Sequence, residues 1–103
     1  MSAYVALLTI HLHFPDAASL KGKRKELSSV KAQLHGRLGL AVAEVEHQDR
    51  WQRATLAAAL VRGSMSQLAD AVDGVQRFLD SRFPDGVRMD RVLASFADVE
   101  GLG

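Results

Sequence analysis

Between Tyr4 and Val99 the apolar residues pass from a two-residue repeat to a helical repeat and back, and then do so again. This succession limits how the chain can bury its apolar surface more than any other property it has. From Tyr4 to Phe14, Ala6, Leu8, Ile10 and Leu12 point to one side of a strand and Leu7, Thr9, His11 and His13 to the other, with Pro15 ending the run. Leu20, Leu27, Val30, Leu34 and Leu38 then recur at seven, three, four and four residues. That spacing predicts a helix over 20–38, with Ser19 as its N-cap and Gly39 as its stop.

Leu40 to His47 alternates as a second strand, with Ala41, Ala43 and Val45 on one side and Val42, Glu44 and Glu46 on the other. A short link, Gln48-Asp49-Arg50, favours a hairpin into a third strand from Trp51 to Arg62, although its alanine-rich middle would also tolerate a helix. Its inner side is Ala54, Leu56, Ala58 and Leu60; Trp51, Arg53, Thr55, Ala57 and Ala59 face outward. Ser64 and Gln67 form a capping box that opens a second helix, striped by Leu68, Ala71, Val72, Val75 and Leu79. Pro84-Asp85-Gly86 makes a turn, and a last strand is expected over 87–99, with Val92, Ala94 and Phe96 on one side.

The order βαββαβ predicts an α+β fold, a ferredoxin-like sandwich with two helices on one face of a four-stranded antiparallel sheet. At 103 residues, with no internal linker, the chain is expected to be a single domain over 1–103. The other face of its sheet must be solvated, covered by another subunit, or used for binding.

Composition narrows the function classes. There is no cysteine, so disulfides, thiolate metal sites and cysteine nucleophiles are excluded, in keeping with a cytoplasmic location. The N-terminus carries no basic leader or small-residue cleavage site, and no apolar run is long enough for a bilayer, so neither a signal peptide nor membrane insertion is expected. A formal charge of only +1 means that any nucleic-acid contact must come from a local patch.

Such a patch lies at the start of the first helix. Lys21, Lys23, Arg24 and Lys25 crowd its first turns, and Lys31, Arg37 and His35 follow. Cations are unfavourable at a helix N-terminus, by about a few tenths of a kcal/mol each. On the helical wheel Lys21 and Lys25 project away from the apolar stripe, and Arg24 and Lys31 flank it. Lys23 lies on the apolar azimuth itself, so its stem is expected to pack inward while its ammonium meets a carboxylate or a phosphate. Two readings stand: a solvated helix face with a structural Lys23 ion pair, or a phosphate-binding surface to which Arg50, Trp51 and Arg53 add a second contact area.

The outer sheet face lacks the aromatics that RNA-recognition sheets carry on their central strands; only Trp51, at a strand end, is large and aromatic. Leu7, Thr9, His11, Trp51, Thr55 and Ala57 there suit a protein interface, so a homo-oligomer or a small-ligand module using that face is the alternative. His11 and His13 share a face but lack a fixed third ligand, so no metal is expected. Glu44 and Glu46 form a potential carboxylate pair with nothing to give them different roles. No Gly-rich phosphate loop, cofactor fingerprint or paired serine–base motif occurs, and no enzyme activity or cofactor is expected.

Two stretches, SLKGKRKEL and AVAEVEHQDRWQRA, carry a resemblance. Ser19, Leu20, Lys21, Lys23 and Arg24 match the helix start of the YlxP-like family of small bacterial proteins of unknown function. Ala41 to Val45 with Asp49, Trp51 and Gln52 match its second motif. The chain departs at Gly22, where the family often has a glutamate that would complete a capping box with Ser19. The resemblance implies a ferredoxin-like fold and no established activity. Genes of the family tend to lie beside those of a translation initiation factor and a ribosome-binding factor, which implies an association with ribosomal RNA or an assembly intermediate.

Overall fold

The β1 strand (Tyr4–His13) owes its place to its alternation: Ala6, Leu8, Ile10 and Leu12 are all at most 3% exposed, while Leu7 opposite them is 53% exposed. The structure, a computed structural model, describes residues 2–101. After β1 come α1 (Leu20–Gly36), β2 (Ala41–Glu46), β3 (Arg53–Arg62), α2 (Met65–Arg82), β4 (Val87–Ser95) and α3 (Phe96–Glu100). The sheet order is β2-β3-β1-β4 and every pairing is antiparallel, which is the ferredoxin-like arrangement.

Local chemistry sets the element boundaries. Ser19 caps α1 by accepting from the Gly22 amide at 3.0 Å, and Gly39, with φ +73°, turns the chain so that Leu40 enters the core. Ser64 caps α2 by accepting from the Gln67 amide at 3.2 Å. Leu27, Val30 and Leu34 of α1, with Leu68, Val72, Val75 and Leu79 of α2, cover the inner face in one contiguous cluster. Phe14 and Phe83 close one end of it, edge to face at 5.5 Å.

The alanine-rich segment of β3 is a strand despite its helix propensity. It runs between β1 and β2 and forms backbone ladders with both, so tertiary pairing overrides the local preference.

Three expectations need correction. The last strand stops at Ser95, whose hydroxyl accepts from the Asp98 amide at 3.1 Å and caps the short α3; Phe96 therefore lies on a helix. The third strand begins at Arg53, so Trp51 sits in the β2–β3 connection rather than on the sheet face. Finally, β2 carries a bulge. Glu44 pairs with Leu56 on the helix-covered side, whereas Glu46 pairs with Thr55 on the open side, so the two glutamates do not share a face.

Candidate functional site

Plain alternation with Val42 carries Glu44 to the helix-covered side, beside α1, where its side chain is 10% exposed; the bulge after it turns only Glu46 to the open face. Lys23, 0% exposed, places its Nζ 3.5 Å from Glu44 Oε2 and donates a 2.6 Å hydrogen bond to the His47 carbonyl. Arg24 donates from Nη2 to the Gln48 carbonyl at 2.9 Å and sets Nη1 3.5 Å from Glu44 Oε1. Two side chains from the first turn of α1 thus fasten the connection that follows β2. His47, at φ 65°, makes the turn, and its carbonyl also accepts from the Arg50 amide at 3.0 Å. At the far end of the connection, the Gln52 carbonyl accepts from the Phe14 amide at 2.8 Å.

Of the two partners expected for Lys23, a carboxylate or a phosphate, the carboxylate is the one present, and the placing of Lys23 among the phosphate-binding residues is corrected. Its ammonium is buried and committed to a carbonyl and a carboxylate of its own chain. Glu44 Oε2 has no hydrogen bond and relies on the Lys23 charge for compensation, so the pair is coupled tightly. Arg24 is shared: its side chain stays half exposed while it holds the connection. Lys21 and Lys25 are exposed and Lys31 is half-buried; none of the three has an ion-pair partner among the described residues.

What the clamp positions is a groove of about 520 Å³, lined by His13, Leu20, Asp49, Arg50, Trp51, Gln52 and Arg53. Trp51 is 50% exposed there, flanked in sequence by Arg50 and, two residues on, Arg53. Both arginines are exposed and lack ion-pair partners among the described residues. Leu20 brings the start of α1 to the rim. Asp49 is the one acid in the lining. An exposed indole in a groove that also holds two exposed arginines can stack on a planar group while the cations hold an adjoining anion.

Beside it on the open sheet face is a second hollow of about 350 Å³, whose lining includes His11, His13, His47, Arg53 and Arg88. His11 Nε2 lies 3.1 Å from Arg88 Nη2 and 3.4 Å from the Asp90 carboxylate. Among the described residues no three His, Cys, Asp or Glu side chains come together in a metal-holding group.

The remaining expected interface residues divide. Leu7, Thr9 and Ala57 are exposed on the open sheet face and His11 is half-exposed there. Thr55 is only 2% exposed, seated between Glu46 and His11 in the cross-strand row, so it offers little surface to a partner. Sequence reasoning missed Glu44 as the partner of Lys23, because it set Glu44 on one side of the strand with Val42 without assigning that side to α1. It grouped Arg50, Trp51 and Arg53 as a contact area but missed that His13 and Leu20 join them in a groove, since Trp51 reads as the first residue of the strand that follows.

Comparison with known proteins agrees with the motif resemblance. The family model described as "Protein of unknown function (DUF503)" matches residues 5–91. The curated Bacillus subtilis (strain 168) protein described as "Uncharacterized protein YlxP" is 34% identical over 70 residues, covering 68% of this chain and 75% of that protein. Among solved structures, the de novo designed protein Foldit4 superposes with a TM-score of 0.55 at 7% identity, over 89% of this chain and 96% of the other, a likeness of fold alone. No described helix is long and apolar enough to cross a membrane.

Proposed function

The chain belongs to the DUF503 family of proteins of unknown function, and from that premise we propose that it is a non-enzymatic cytoplasmic protein that binds single-stranded RNA through the Trp51 groove. The observation that carries this reading is the half-exposed Trp51 sharing one groove with Arg50 and Arg53, neither of which has an ion-pair partner among the described residues. A stacking aromatic beside a cationic track is what unpaired nucleic acid requires, and every base offers a π face. Lys21 and Lys25 extend the positive surface along α1, and Lys23 and Arg24 act beneath it by fixing the connection. Ribosomal RNA, or an assembly intermediate that exposes it, is the partner class implied by the family resemblance.

Binding is then dominated by phosphate contacts and is weak in sequence preference. Anisotropy titration of a labelled single-stranded oligouridylate provides the test. Trp51→Ala is expected to lower affinity by about 5- to 100-fold, equivalent to the loss of one stacked base. Arg50→Gln with Arg53→Gln is expected to weaken binding and reduce the salt dependence of log Kd by about 1.4, two phosphates' worth for a single strand. Co-sedimentation with ribosomal particles at low salt, lost at high salt, extends the test to the proposed partner. Binding indifferent to all three substitutions would contradict the reading.

A further inference from the structure

The open sheet face has an asymmetry of its own, independent of the groove. The strand registers arrange its outward residues in rows across the sheet in the order β2, β3, β1, β4. One row reads Glu46, Thr55, His11, Arg88, with an acid at one edge and a base at the other. The row two residues further along β1 reads Ala43, Ala57, Thr9, Asp90, and the next reads Ala41, Ala59, Leu7, Val92. In that third row the two alanines form a shallow trough on the β2–β3 side. Leu7 and Val92, 53% and 60% exposed, form a ridge on the β1–β4 side. The trough is also a hollow of about 340 Å³, lined almost wholly by apolar residues.

We propose that this face is covered by a second copy of the chain, related by a two-fold axis parallel to the strands. Such an axis keeps each residue's height along the strand and reverses the lateral order. Every row then meets itself backwards. Glu46 of one copy faces Arg88 of the other, twice by symmetry, and the Leu7–Val92 ridge enters the alanine trough. The sheets pack in the aligned mode, about 10 Å apart, within reach of a long glutamate–arginine pair. The middle row sets Asp90 opposite Ala43, and Asp90 keeps its contacts to Arg88 at 3.6 Å and His11 at 3.4 Å in its own copy, so that Arg88 bridges Asp90 and the other copy's Glu46. This combination of charge and shape selects a second copy, since both halves of the match lie on one surface.

Four strands and five outward rows give roughly 500 Å² of flat face per copy. That is the small end of the range for stable interfaces, so the dimer is concentration-dependent. Because heights are preserved, both Trp51 grooves lie at the same end of the pair.

Mass measured by sedimentation equilibrium from micromolar to millimolar protein tests the proposal. The expected mass rises from the 11.2 kDa of one chain to twice that value. Glu46→Arg and Arg88→Glu are each expected to weaken dimerisation by about tenfold or more, the scale of a close interfacial charge pair. The double variant, with the charges exchanged, is expected to restore it. Val92→Asp is expected to abolish the dimer while leaving the far-ultraviolet circular dichroism unchanged, because Val92 is an exposed side chain. A monomer throughout the concentration range, which would leave the face to another occupant, overturns the proposal. So does a dimer indifferent to Val92→Asp, or a double variant no tighter than the singles.

Discussion

Lys23 shows how a residue that looks functional can be structural in the service of function. An ammonium that makes one 2.6 Å hydrogen bond and sits 3.5 Å from a carboxylate is held by its own chain. Removing one member of a buried pair leaves the other uncompensated, at a cost of about 3–5 kcal/mol. Lys23→Met, which keeps most of the stem's packing, is therefore expected to destabilise the protein by that amount in urea unfolding. Adding Glu44→Gln is expected to recover part of the loss by removing the stranded charge. If the single substitution shifts the midpoint negligibly, the clamp does not hold the connection. The sequence revealed that Lys23 must turn inward, from its place on the apolar azimuth. It concealed the partner, because alternation sets Glu44 on the same side of β2 as Val42 without saying that this side meets α1.

At the scale of elements, boundary chemistry accounts for both the agreements and the errors. The caps at Ser19 and Ser64 were legible because hydroxyl side chains before an apolar helical repeat have few other uses. The Ser95 cap was not, because Val92 and Ala94 continue a two-residue alternation that runs on to Phe96. Two glycines near the end of α1 have opposite roles. Gly39, at φ +73°, needs its freedom, and Gly39→Ala is expected to cost about 1–2 kcal/mol. Gly36 lies inside the helix with open space where a Cβ would stand, so Gly36→Ala is expected to stabilise by about 0.4–1 kcal/mol. Thermal unfolding of the two variants should move the midpoint in opposite directions; shifts of the same sign would contradict this assignment of the helix end.

At the scale of the whole molecule, the fold was almost entirely legible, since two helical repeats set among four alternating segments admit few arrangements. The candidate site was legible as a set of cations with Trp51 among them, but not as a groove. Which of the cations face solvent follows from where Glu44 and the His47 carbonyl meet α1, and the groove follows from where β3 begins. Each depends on cross-strand register, which a single sequence specifies weakly when a strand is rich in alanine. The resulting molecule separates its tasks by surface: helices over the core, a clamped connection at the sheet's end, and an open face with an acid at one edge and a base at the other.

Trp51 is the chain's only tryptophan, so its fluorescence reports on the proposed groove and nowhere else. Single-stranded oligouridylate added at low salt is predicted to quench that emission to saturation, and raised salt to restore it as phosphate contacts are lost. Unchanged Trp51 emission at RNA concentrations that saturate binding by anisotropy, or no binding at all at low salt, would contradict the groove as the RNA site.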